Sequence, residues 1–204
     1  MIIGISGKMG SGKDTLAEMI STLSSGENQY MVKHYADKLK KIVSLLINVP
    51  VNLLNDQEFK KTNLSSDWGM TVRELLQKVG TDGLRNNVHE NIWINSLYAD
   101  YLPKGFSSME EYLKSLQPGD FVKMDLPNWV IADVRFPNEA TAVKEKGGIL
   151  VRINRDLDIT SDHASETSLD DWEKWDYVVD NNGSKADLWQ QAVSIIRKSK
   201  YYEQ

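Results

Sequence analysis

Residues 7–15 read Gly-Lys-Met-Gly-Ser-Gly-Lys-Asp-Thr. The spacing Gly7-x4-Gly12-Lys13 is the core of a phosphate-binding loop. Its glycines let the backbone curl so that several N–H groups face one concavity, and Lys13 can follow the β- and γ-phosphates of a nucleotide. The helix expected to start at Asp14 adds partial positive charge at its N-terminus. Gly10, Ser11, Gly12, Lys13, Asp14 and Thr15 are therefore the expected ATP-binding residues. One position departs from the usual pattern, in which Ser or Thr follows the lysine and holds Mg2+. Asp14 stands there and Thr15 comes next, so either side chain can serve the metal, directly or through water. A plain Gly-rich turn, with Asp14 favoured by the helix dipole, is the alternative, but it leaves the glycine–lysine spacing unexplained. Leu23-Ser-Ser-Gly-Glu27 faintly resembles a transporter-ATPase signature; it closes the first helix and reads better as a Gly-containing terminus.

Phosphate-binding loops serve switches, motors and small-molecule kinases alike. The Asn-Lys-x-Asp signature by which a switch reads guanine is missing from the sequence. A kinase whose acceptor is itself phosphorylated needs further cations, because two polyanions must approach each other. Three segments offer them. On a predicted helix Thr71–Val79, Val72, Leu75, Leu76 and Val79 follow i, i+3, i+4, i+7, and Arg73 and Gln77 stand together on the other face. Gly80-Thr81-Asp82-Gly83 is expected to break that helix and redirect Arg85. Trp129–Ala132 predicts a buried strand that delivers Asp133 and Arg135 to its carboxyl end. There Asp133 can fix Mg2+ through water or accept a proton, and Arg135 can neutralise a transferring phosphoryl group; a turn former before Pro137 is the blander reading of Asp133. Finally, Val151-Arg-Ile-Asn-Arg155 ends a strand and opens the polar stretch 156–171, expected to be a lid with Arg155 at its base. An ordinary surface loop would look similar. The three His are too scattered for a zinc site.

The elements that must carry these residues alternate. Strands are predicted at Ile2–Ser6, Met31–Tyr35, Trp129–Ala132, Ile149–Ile153 and Tyr177–Val179. Helices are predicted at Asp14–Leu23, Asp37–Ile47, Thr71–Val79, Asn91–Leu102, Ser107–Leu116, Glu139–Lys146 and Lys185–Lys198, with a turn at Pro118-Gly119. Alternating β and α elements imply a doubly wound, five-stranded parallel sheet with helices on both faces, the fold of P-loop NTPases. The expected organisation is one domain over 1–204. Its core is 1–36, 128–155 and 176–204, with a helical acceptor-binding region over 37–127 and the lid over 156–171. The 204 residues suit one domain, and a net charge of −5 argues against a polyanion-binding surface. Without Cys there is no disulfide framework or thiol nucleophile. No apolar run approaches the length of a membrane span, and no secretory signal opens the chain, so a soluble cytoplasmic protein is expected.

Together these segments resemble the deoxynucleoside monophosphate kinases of the bacteriophage type. The matching stretches are Gly7–Thr15, Tyr35–Lys40, Thr71–Thr81 through Arg85 and Trp93, Ile131–Glu139, Asp162–Glu166 and Asp180–Gly183. The resemblance spans nearly the whole chain, although the segment 98–125 is longer than the common pattern. It implies ATP and Mg2+ as cofactors, a deoxynucleoside 5′-monophosphate as acceptor, no nucleic-acid polymer or membrane partner, and often a homodimer. Adenine is then expected near the turn Asn181-Asn182-Gly183, with Asn182 and Gly183 as the binding residues. The acceptor falls to Asp37, Lys40, Arg73, Gln77, Arg85, Arg135 and Glu139. Catalysis falls to Lys13, Asp133, Arg135 and Arg155, and the metal to Thr15, Asp14 and Asp133. Two other readings remain open on the residues alone. One is a kinase of another phosphorylated metabolite, phosphomevalonate-like, which shares the lysine–aspartate loop. The other is a nucleotide-dependent regulatory module that phosphorylates no acceptor.

Overall fold

The computed structural model describes residues 1–117, 124–156 and 163–199. The predicted Pro118-Gly119 turn, and lid residues 157–162 with Asp162, lie outside the described residues. In chain order the elements are β1 (Ile2–Ser6), α1 (Lys13–Leu23), β2 (Tyr30–Lys33), α2 (Asp37–Ile47), α3 (Gln57–Lys61), α4 (Val72–Gln77), a π-helix (Lys78–Arg85) and α5 (Ile92–Tyr98). There follow α6 (Met109–Ser115), β3 (Asn128–Ile131), α7 (Pro137–Glu145), β4 (Ile149–Asn154), α8 (Ala164–Thr167), β5 (Tyr177–Asp180) and α9 (Lys185–Ser199). They divide into two compact units, residues 1–34 with 99–204, and residues 35–98.

The first unit is built on a five-stranded sheet in the order β2-β3-β1-β4-β5, with every pairing parallel. Parallel strands covered on both sides need apolar residues at nearly every position, and β1 and β3 are buried throughout. Side chains alternate between the faces. Ile3, Ile5, Ile149, Val151 and Val179 join Leu16, Ile20, Leu188 and Ile195 of α1 and α9 in one core. Gly4 faces the other way: a Cβ there would lie 3.0–3.1 Å from Leu150, Val134 and Val143, the last from α7. The sheet is therefore doubly wound, as its sequence pattern predicts. Residues around α6 belong to this unit too. Tyr101 packs edge-on against Trp129 at 4.6 Å, and Lys104 pairs with Asp125 at 3.0 Å.

The second unit is helical. Thr71 and Glu74 form a reciprocal capping box that starts α4, with Thr71 N–H donating to Glu74 Oε2 at 2.7 Å. Beyond Gln77 the expected break does not occur. The chain widens into the π-helix and runs on to Arg85. Gly80 permits this where it packs on Leu39, because an added Cβ would sit 2.6 Å from Leu39 Cδ2. Its carbonyl accepts from the buried Trp93 indole at 2.9 Å, which ties the π-helix to α5. The predicted helix Asn91–Leu102 is correspondingly shorter, ending at Tyr98.

Candidate active site

The loop after β1 carries the densest chemistry. Gly10 and Gly12 hold left-handed conformations, φ 79° and 99°, which L side chains rarely adopt. Gly7 is needed for space instead: a Cβ would lie 2.4 Å from the Ile153 carbonyl oxygen. The Asn181 side chain donates to the Ser11 carbonyl at 2.8 Å and so clamps the loop to the end of β5. Lys13, only 7% exposed, curls back and donates to the Gly7 and Lys8 carbonyls, both at 2.7 Å. Burial, and then the charge of Arg135, push its pKa down to about 8, against the opposing pull of Glu166, Asp14 and Asp133. Those five side chains thus share one electrostatic neighbourhood.

Asp133, 8% exposed, stands in the turn two residues beyond the end of β3. Arg135 is held at both ends. Its backbone N–H donates to Glu139 Oε2 at 2.8 Å; its Nη1 donates to the Ser165 carbonyl at 3.3 Å and pairs with the Glu166 carboxylate. Glu139 was expected to meet the acceptor. It is 2% exposed and caps α7, accepting from the N–H groups of Arg135 and Phe136. Asp14 is exposed, with Oδ1 lying 3.1 Å from His34 Nε2. Thr15 sits half-buried in the first turn of α1.

Of the predicted lid, residues 163–171 are docked on the loop. Lys8 Nζ donates to the Glu166 carbonyl at 2.8 Å and to both oxygens of Asp170 at 2.6 Å. Met9 N–H donates to Glu166 Oε2 at 2.8 Å. Arg155, expected at the base of the lid, is exposed. Arg152 is the engaged arginine, reaching Asp170 and Ser6 Oγ at 3.4 Å and lying over the Trp175 ring at 5.7 Å. Asn182 Oδ1 accepts from Asp156 N–H at 2.8 Å. The adjoining Gly183 is crowded by Asp187, whose Oδ2 would lie 2.8 Å from an added Cβ.

Sequence reasoning placed Asn181 at the adenine turn, Glu166 in the lid and Arg152 on the strand before it, but missed the contacts that these three make with the loop and the lid. Arg152 carries a signal, being a charge between buried Val151 and Ile153 at a strand end. Glu166 and Asn181 stand inside stretches already singled out, and nothing in their spacing separates them from their neighbours.

In the helical unit, Arg73 Nη2 donates to Gln57 Oε1 at 3.0 Å. Arg85, 8% exposed in the last turn of the π-helix, donates to the Glu90 carbonyl at 3.3 Å. Gln77 is half-buried, and Lys40 lies 3.9 Å from Asp37 one helical turn away.

The donor set around Lys13 fits Mg2+. The ion keeps most of its waters and takes one or two carboxylates beside phosphate oxygens, and Asp14, Thr15 and Asp133 supply hard oxygen ligands of that kind. The described residues contain no cluster of three or more His, Cys, Asp or Glu placed to cage a metal. No described helix is long and apolar enough to cross a membrane.

Comparison with known proteins agrees with this chemistry. The family model described as deoxynucleotide monophosphate kinase matches residues 46–192. That span takes in α4, the π-helix, Asp133, Arg135, Glu166 and Asn181. A relative from Acanthamoeba polyphaga mimivirus, which bears the name of the same family, is 34% identical over 199 residues, covering 96% of each chain and thus including the loop. The deoxynucleotide monophosphate kinase of Escherichia phage RB69 is 24% identical over 136 residues, 66% of this chain and 48% of its own. Among solved structures, a dephospho-CoA kinase from Campylobacter jejuni aligns over 97% of this chain and 96% of its own at a TM-score of 0.38 and 18% identity, too remote to carry functional weight. With a model match over most of its length and a full-length relative beside it, this chain belongs to the deoxynucleotide monophosphate kinase family.

Proposed function

We propose that this protein transfers the γ-phosphoryl group of ATP to a deoxynucleoside 5′-monophosphate, releasing ADP and the deoxynucleoside diphosphate. The observation that carries the reading is a glycine-built anion cradle with buried Lys13 curled into it and Arg135 tied to it through Glu166. An acceptor phosphate oxygen attacks the γ-phosphorus, the bond to the β–γ bridging oxygen breaks, and its electrons leave with ADP. Little covalent chemistry falls to the protein, so positioning and charge neutralisation suffice.

In this reading Gly10–Thr15 hold the ATP phosphates, with adenine near Asn182 and Gly183. Lys13 follows the β- and γ-phosphates, and Arg135 meets the group in flight. Acceptor binding is assigned to Asp37, Lys40, Arg73, Gln77 and Arg85, with Arg135, while Arg155 closes over the phosphates when the lid moves. Asp14, Thr15 and Asp133 would hold Mg2+, which when bound screens the charge of the phosphate oxygens. The resemblance to phage enzymes adds a homodimer working in the cytoplasm.

A panel of deoxynucleoside monophosphates, ribonucleotides and unrelated phosphates such as phosphomevalonate, with coupled ADP detection, tests the assignment. Acceptor-stimulated ADP release confined to deoxynucleoside monophosphates is expected. Slow ATP hydrolysis that no acceptor stimulates would refute it in favour of a regulatory module.

A further inference from the structure

We propose that Glu166 is a positioning residue for phosphoryl transfer, fixing the guanidinium of Arg135 against the phosphate-binding loop. The inference rests on the role given above to Arg135 and adds the group that makes the role possible.

An arginine side chain is long and loses much rotamer freedom when it is held in one geometry. A catalytic arginine therefore works best when other groups hold it before the substrate arrives. Arg135 meets that condition in an asymmetric way. Glu139 takes its backbone N–H at 2.8 Å, and Glu166 and the Ser165 carbonyl take Nη1. Nε and Nη2 have no partner among the described residues, which leaves two of the fork's nitrogens for phosphate oxygens.

Glu166 is itself fixed from three sides. Its carboxylate accepts from Met9 N–H in the loop at 2.8 Å, its carbonyl accepts from Lys8 Nζ at 2.8 Å, and its N–H donates to the His163 carbonyl at 2.8 Å. The Glu166 side chain is 10% exposed and that of Arg135 33%, so the carboxylate is the sheltered partner and the guanidinium the accessible one. That asymmetry suits an anchor and the group it aims. One carboxylate thus ties the arginine to the loop that is to hold the donor phosphates.

Kinetics of the full-length protein, with ATP and the best deoxynucleoside monophosphate of the panel, test this. Glu166→Gln keeps the shape and can still accept from Met9 N–H but removes the charge that grips Arg135, and near-UV circular dichroism checks that it folds. We expect kcat to fall about 10- to 100-fold, the scale seen when a partner orienting a functional ligand is lost, with the KM for ATP within threefold of the parent. Glu166→Asp should recover part of the loss. The decisive arm is the double variant Arg135→Ala with Glu166→Gln, which should be no slower than Arg135→Ala alone, because a residue acting through Arg135 has nothing left to act on. Losses that multiply, or a faster Glu166→Gln enzyme with tighter ATP binding, overturn the proposal; the latter would mean that the carboxylate competes with phosphate for these donors. If Arg135→Ala turns over normally, the role of Arg135 fails and takes this one with it. A slow Arg135→Ala beside a normal Glu166→Gln sinks this proposal alone.

Discussion

The two units hold their polar side chains by contacts of very different reach. In the sheet unit, Asn181 meets Ser11 across 170 residues of sequence, Lys8 meets Asp170 across 162, and Met9 meets Glu166 across 157. In the helical unit, Arg73 meets Gln57 across 16 residues, Arg85 meets Glu90 across five, and Trp93 meets Gly80 across 13, and even its longer ties, Lys38 to the Ser96 carbonyl and Tyr35 to Tyr98, span 58 and 63. A cradle assembled from distant strands tolerates little change, since each contact fixes the others. A locally built helical surface is more permissive, so one side chain can change without dismantling its neighbours.

The sharpest way to break this contrast is at Lys13. Lys13→Ala should lower kcat by about 10²–10³-fold, roughly 3–4 kcal/mol of lost transition-state stabilisation, while the circular dichroism spectrum stays that of the folded chain. Near-parental turnover in a folded variant would remove the loop from the mechanism. A smaller effect, on stability as well as binding, is expected at Gly12. An alanine there must adopt φ near 99°, and its Cβ would lie 2.5 Å from the Asn181 amide that clamps the loop. Gly12→Ala should therefore lose about 2 kcal/mol in denaturant unfolding, the scale of a strained backbone position, and should weaken ATP binding. An unchanged midpoint would show that the loop is less constrained than its contacts imply. The smallest effect belongs to the helical unit. Arg73→Ala should raise the acceptor KM about tenfold, close to 1.4 kcal/mol, leaving the ATP KM and the melting temperature nearly unaltered. If ATP alone is affected, the assignment of acceptor binding to this surface is wrong.

The same difference in reach explains what could be read from the sequence. The inner strands were recognisable because a buried parallel strand writes its environment into consecutive residues, as in Ile2–Ser6 and Trp129–Ala132, whereas β2 and β5 at the sheet edges are largely unburied and were read from short apolar runs. The glycine loop was recognisable because its chemistry is contiguous. The contacts of Glu166 and Asn181 were not, since their partners in the loop lie 157 and 170 residues away and no local period records them. Glu139 looked like one more acidic residue near the site, and only its burial shows that it caps α7. The π-helix was misread for another reason. Gly80 and Gly83 signal a helix end by propensity, and the packing of Leu39 and Trp93 overrides that signal.

The strand order has a consequence for how this protein is made. Strand β1 lies at the centre of the sheet, with β3 and β4 as its neighbours. Although β1 and its loop leave the ribosome early, neither wall of β1 exists until residues 128–154 have been translated. The unit 35–98 is a compact cluster made of consecutive residues and has all of them when Tyr98 emerges. At roughly 5–20 residues per second, β4 is completed some 3–11 seconds later still. For that interval the nascent chain carries an apolar Ile-Ile-Gly-Ile segment with an open edge on both sides, the kind of segment that must be kept from pairing with other chains.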